Sequence, residues 1–419
     1  MSRFTPKFSS PLFSAAFRVV TVTLFLVVFG AGAALAQKGY VTNSGSSTVS
    51  VIDTATNTVT ATVPVGSSPT GVAVTPNGSF VYVVNFDGNS VSVIDTATNT
   101  VVTTIPVGQA PTLVAITPNG AFAYVTNQFS SSVSVIDTAT NTVVATVPVG
   151  AFPFGIAITP NGGFAYVANV LSSSVSVLDT TANSVVATIP VGTGPFDIAI
   201  TPNGAFAYLT HGFGGGITVI DTATNTVSAT ILLQGPAGID ITPNGAFAYV
   251  ASTSFGSVSV INTATNTVTA TVPVLAGPLG VAITSNGSFA YVTNQASNGV
   301  SVIDTATNTV TTNIPVGASP RFIALEKPQS PPDPIAALIA QVEALIAGGT
   351  LTQNQGDGLI NKLNQVIAKL DANQTGAACN QLSSFINQVQ GVINSGTLTQ
   401  AQGESLIDAA NAVKTNLGC

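Results

Sequence analysis

Few side chains in this chain of 419 residues could do chemistry, and their spacing decides what kind. The one histidine is His211, so an imidazole base or metal ligand would have to come from that position. No second histidine and no neighbouring cysteine completes a metal set, which favours an imidazole standing in for an amide. Aspartates recur at 53, 95, 137, 179, 221 and 304, with Asn262 at the seventh equivalent place. A catalytic group is needed once. A group present in every unit suits a turn, where its oxygen accepts backbone N–H bonds. The turns lack the alternating aspartates of a calcium loop. There is no Cys-x-x-Cys-His and no Gly-x-Ser-x-Gly elbow, and Gly214-Gly215-Gly216 follows Phe213 without opening a helix. No catalytic residue, metal or cofactor is expected.

Composition narrows the partners. The chain is 45% hydrophobic and only 6% charged, against about 25% charged in ordinary globular chains. Its apolar residues alternate with Ser, Thr and Asn, so hydroxyls and amides must solvate the surface. From Tyr40 to Pro320 there is no lysine or arginine. Those are the residues that neutralise phosphates, which excludes nucleic acid as a partner.

Arg3, Lys7 and Arg18 precede or flank an apolar run from Val19 to Gly30, and Ala34-Leu35-Ala36 has the small-x-small form of a cleavage site. Residues 1–36 read as a signal peptide, with an uncleaved anchor as the alternative because the run approaches the ~18 residues that span a bilayer. Cleavage would take the formal charge from −7 to −10 by removing three cations. The expected location is outside the cytoplasm, secreted or at the cell surface, with no membrane span after cleavage.

The elements that position these residues follow from a repeat. All seven tyrosines (Tyr40, Tyr82, Tyr124, Tyr166, Tyr208, Tyr249 and Tyr291) are 42 residues apart, except for one step of 41 between Tyr208 and Tyr249. In the third copy, Ala121 to Asn127 alternates as a strand, Val133 to Asp137 as a second, and Thr142 to Val147 as a third ended by Pro148. Gly155 to Thr159 is a fourth, closed by Pro160-Asn161-Gly162. Four short antiparallel strands per period make one blade of a β-propeller. The first copy lacks the fourth strand, and Arg321 to Leu325 supplies a spare one. The expected fold is therefore an all-β seven-bladed propeller over residues 37–325, closed by three strands from the start and one from the end.

Tyr-Val-Thr-Asn stands complete at Tyr40, Tyr124 and Tyr291, and Val-Ile-Asp-Thr-Ala-Thr-Asn-Thr and Thr-Pro-Asn-Gly recur beside it. On these motifs the chain resembles the YVTN β-propeller repeat proteins, related to surface-layer propellers and more loosely to lactonase-like ones. The resemblance implies the fold more than any activity.

After a proline-rich linker, 326–334, with Asp333 as a helix cap and Pro334 at the first helical position, apolar residues recur at helical spacing. Gly349-Thr-Leu-Thr-Gln353 returns as Gly396-Thr-Leu-Thr-Gln400, each with a Thr-x-x-Gln capping box. Two helical hairpins over 335–419 should form a four-helix module. Antiparallel neighbours would bring Cys379 and Cys419 together, as a disulfide or as a buried thiol pair. The segment resembles the FIMAH domain, a helical module of secreted bacterial proteins.

The two recurrent turns share one face of the ring, and the loops that differ between copies share the other. The latter offer Phe86, Asp87, Phe129, Phe152, Phe154, Phe196, Asp197, His211, Phe213, Phe255 and Arg321 as a candidate binding face. The expectation is a non-enzymatic propeller that binds protein or polysaccharide, or has a structural role, at the cell surface or outside the cell. The alternative is a lactonase-like enzyme acting at the channel mouth. Oligomeric state and mode of attachment stay open.

Overall fold

The computed structural model describes residues 37–213, 215–327, 334–371 and 374–419. The expected signal peptide, the centre of the linker with Asp333, and Gly214 lie outside them. Among the described residues, twenty-eight strands form seven four-stranded antiparallel sheets. We number the blades in chain order. The first consists of Lys38–Asn43, Thr48–Asp53 and Thr58–Pro64 with Pro320–Leu325 as its innermost strand, and the three-plus-one closure is as expected. Within the other six blades the chain runs from the innermost strand outward.

The turns account for the recurrent residues. Asp137 Oδ1 accepts the Ala139 and Thr140 amides at 3.0 and 2.8 Å, and Asn141 closes the turn in the left-handed region at φ 55°. Asp53, Asp95, Asp179, Asp221, Asn262 and Asp304 do the same. These N–H bonds hold the carboxyls of Asp95, Asp137, Asp221 and Asp304 below their ordinary range. The repeated acids are turn clamps.

The seven tyrosines are fully buried, and six of them bind the next blade. Tyr82, Tyr124, Tyr166, Tyr208 and Tyr249 donate to Asn141, Asn183, Asn225, Asn266 and Asn308 at 2.6–2.7 Å, and Tyr291 crosses the closure to Asn57. The seventh seam differs. Tyr40 donates to Glu326 Oε1 at 2.8 Å, and the buried Oδ1 of Asn99 has no partner. Within the first blade the Glu326 amide donates to Lys38 O and Gln37 Nε2 donates to Glu326 O, and across the seam Lys38 Nζ donates to Thr96 O at 2.7 Å. Both ends of the propeller chain are tied there.

The threonine of the tetrad also spans blades. Thr42, Thr126, Thr210 and Thr293 each donate to the innermost strand of the next blade, at Thr70 O, Phe154 O, Ala237 O and Arg321 O. Each accepts an amide from its own innermost strand, at Phe322, Leu113, Asp197 and Gly280.

The four helices are α1 (Pro334–Ala347), α2 (Gln353–Asp371), α3 (Thr375–Asn394) and α4 (Gln400–Asn416). Both capping boxes form: the Thr352 and Thr399 hydroxyls accept from Gln355 N and Gln402 N, and the two glutamines accept the threonine amides in return. Leu338, Val342, Leu363, Leu382, Phe385 and Leu406 are among the residues of one shared core. Cys379 and Cys419 are joined as a disulfide with a Cα–Cα distance of 6.1 Å.

Candidate binding face and central channel

Hydrogen bonds between the two sets of variable loops, such as Phe129 N to Gln109 O and Leu171 N to Ala151 O, place both sets on one face of the ring. The residues expected there fall into three groups. The first is at the surface. Phe86 meets Phe129 edge-on at 6.1 Å, and Phe129 meets Phe152 at 5.4 Å. Phe129, Leu171, Phe213 and Phe255 are 58, 65, 85 and 59% exposed, on the third to sixth blades. They form an apolar arc over four consecutive blades. Asp87, exposed beside it, accepts the Ser68 hydroxyl.

The second group corrects the expectation of a loop face. Phe154 is buried, stacks on Phe196 at 4.2 Å, and meets Phe322 at 6.2 Å. Phe154 and Phe322 stand on the innermost strands of the fourth and first blades, on different sides of the ring. With Leu113, Ala237 and Leu279 they make one cluster drawn from five innermost strands. The channel is therefore filled with apolar side chains where those strands begin. Elsewhere these strands close in on glycine: a Cβ on Gly155 would lie 2.5 Å from Phe196 O, and on Gly238 2.3 Å from Leu279 O. Arg321, half-buried on the strand that carries Phe322, has a buried Nε without a partner, and burial lowers its pKa.

The third group is polar and buried. Asp197 Oδ1 accepts the Ile198 amide at 2.9 Å, and its Oδ2 accepts the Ile239 amide at 3.2 Å from the next blade. Burial pushes its carboxyl up to about 7, against these bonds. Asp240, which sequence reasoning missed, accepts the Ile241 and Ile283 amides and is pushed up to about 6. Its signal was available: Asp240 stands where other innermost strands carry Ala73, Ala115, Ala157 and Ala199. His211 is also buried and does not face the loop mouth. Its Nδ1 donates to Thr193 O at 3.1 Å, and its Nε2 accepts from Thr218 Oγ1 at 2.8 Å. Burial lowers its pKa, which favours the neutral ring. It replaces an amide such as Asn127, which donates to Ser132 and Ser134. The carboxyl of Asp197 and the ring of His211 thus serve separate backbone and hydroxyl partners.

The raised carboxyls make stability depend on pH. Between the ordinary aspartate value of 3.8 and about 7, folded Asp197 holds a proton that the unfolded chain releases. The stability it contributes is complete below the lower value and is lost as pH rises through the upper one. Asp240, at about 6, adds to this slope at lower pH, and buried His211 opposes it below the ordinary histidine value of 6.5, so Asp197 dominates between 6.5 and about 7, with a slope below one proton, or roughly 1.4 kcal/mol per pH unit. Asp197→Asn should flatten it there, as read from denaturant unfolding at stepped pH. An unchanged slope would refute this.

These features define a class: a charge-poor, seven-bladed propeller scaffold with one apolar loop face and a filled channel. Comparisons with known proteins agree with the fold. Residues 77–163 match the YNCE-like β-propeller, 179–314 the seven-bladed lactonase propeller, and 335–415 the FIMAH domain, a cell-surface-type module. The chain is a seven-bladed β-propeller with a C-terminal FIMAH domain, and a YVTN-type propeller is consistent with all three matches.

A curated relative, the PE-PGRS family protein PE_PGRS18 of Mycobacterium tuberculosis, is 65% identical over 37 residues, 9% of this chain and 8% of that protein. Hydrazine synthase of Kuenenia stuttgartiensis is 24% identical with a TM-score of 0.57, over 61% of this chain and 88% of that one. A functionally unknown protein from Desulfotomaculum acetoxidans is 20% identical with a TM-score of 0.63, over 70% and 99%. A putative 6-phosphogluconolactonase from Bacteroides fragilis is 17% identical with a TM-score of 0.60, over 71% and 99%. At these identities the structural likeness is one of fold. Among the described residues, no helix is long and apolar enough to cross a membrane.

Proposed function

We propose that this is an exported, non-enzymatic propeller that binds a protein or polysaccharide through its variable face, at the cell surface or outside the cell. The observation that carries this reading is the apolar arc of Phe129, Leu171, Phe213 and Phe255, exposed on four consecutive blades of one face. The export signal read in residues 1–36 and the FIMAH match support the location. The lactonase-like alternative draws on the match over 179–314. It is less favoured, because Phe154 and Phe322 fill the channel and His211 is committed to Thr193 and Thr218.

A panel of bacterial polysaccharides and secreted proteins, screened against the full chain and a variant with all four arc residues changed to serine, tests this. At least one ligand should bind the full chain and lose tenfold or more in affinity with the variant, about 1.4 kcal/mol. Equal binding by both proteins refutes the arc. Lactone hydrolysis abolished by His211→Ala or Asp197→Ala would establish the enzyme instead.

A further inference from the structure

Six of the seven outer strands end on proline: Pro64, Pro106, Pro148, Pro190, Pro273 and Pro315. The next residue points its N–H inward, as Val149 N does to Ser131 O at 3.0 Å. Alternation then turns the proline nitrogen outward, to the free edge of the blade. Each of those edges lacks a donor at its end, a known defence against pairing with another strand.

The fifth blade departs from this. Its outer strand, Thr226–Ile231, runs into Leu232, which is 89% exposed. Phe213, on a loop of the same blade, is nearly as exposed. No ionisable side chain lies between Thr226 and Gln234, so no charge guards this edge either.

We propose that this edge is a self-association surface, on which two copies of the chain pair antiparallel about a two-fold axis along Thr230–Leu232. With the strand extended by one residue, to the length of the other six, Thr230 of each copy faces Leu232 of the other, and each Leu232 amide donates to a threonine carbonyl across the axis. A second copy fits for two reasons. The chain carries a net charge of −7, and this edge is a place where two like-charged copies meet without opposing carboxylates. The fifth blade alone keeps a donor at the end of its edge, and pairing of that end with its own copy is an isologous contact, which closes at two. The contact is small, below about 1,200 Å², which suits a dimer of micromolar or weaker affinity.

Sedimentation velocity of the full chain, from about 1 to about 500 μM, tests this through the concentration dependence of association. The wild type should show a monomer–dimer equilibrium. Leu232→Pro restores the residue that six equivalent blades already hold, and should stay monomeric with an unchanged circular dichroism spectrum. Pro190→Leu opens a second edge, on the fourth blade, and should add species larger than a dimer. If Leu232→Pro disturbs the fold, Leu232→Lys serves instead: it keeps the amide, sets like charges across the axis, and should weaken the dimer at least tenfold. A wild type monomeric throughout overturns the proposal and leaves the edge to a strand from another protein. Dimerisation of the folded proline variant as tight as that of the wild type also overturns it.

Discussion

A chain stopped at Gly317 should lose the cooperative unfolding transition that a chain stopped at Lys327 keeps. The ten residues between them supply the innermost strand of the first blade. Removing them exposes the partners of buried Phe322 and Ile323, whose burial alone contributes roughly 3–6 kcal/mol. Thr293 loses Arg321 O, Thr42 loses the Phe322 amide, and Tyr40 loses Glu326. Each bond contributes about 1 kcal/mol, and several leave a buried group unpaired. The sum is comparable to the whole stability of an ordinary domain, about 5–15 kcal/mol. Thermal unfolding of the two chains is the measurement, and a synthetic peptide of residues 318–327 should restore the transition. Equal melting of both chains would show that the ring does not need its closing strand.

The second large effect lies in the helical module. The bridge between Cys379 and Cys419 closes a loop of 40 residues in sequence separation. Constraining a loop of that size in the unfolded chain contributes about 4 kcal/mol on the chain-entropy account. The Cys379→Ala, Cys419→Ala double variant should therefore lower the denaturant midpoint of the helical transition while leaving that of the strands in place. A shift of less than about 1 kcal/mol would mean that the shared core of α1 to α4 outweighs the bridge.

The architecture was legible in the sequence because period and turn chemistry are local. Tyrosines 42 residues apart, aspartates in turns and prolines at strand ends each report on their own few neighbours. The three-plus-one closure could be read from what the first copy lacks. The site was less legible, because neighbours in sequence diverge in space. Phe152 and Phe154 are two residues apart, yet Phe152 joins the surface chain through Phe129 and Phe154 stacks on Phe196 in the channel. Alternation alone would put residues two apart on one side; Phe152 at φ 59° and the register shift between Pro153 and Ile156 separate them. The sequence puts Asp197 and His211 together on the candidate binding face. Only the bonds to Ile198, Ile239, Thr193 and Thr218 show each one occupied.

The seam at Tyr40 has a further consequence. Seven near-identical blades make an ambiguous folding problem, because a strand that fits one blade almost fits its neighbours, and misassembly is a hazard of repeat proteins. At six seams the tyrosine and asparagine are interchangeable and carry no information about which blade is which. The seventh alone pairs Tyr40 with Glu326 and ties Gln37 to Glu326 O. Gln37 and Lys38 act as an address: a closing strand paired with another blade would find a tyrosine for Glu326 but would lose the Gln37 bond to Glu326 O and leave Lys38 bound to Thr96 O without its strand partner. The deviation from the repeat is what makes the correct ring distinguishable from its near copies.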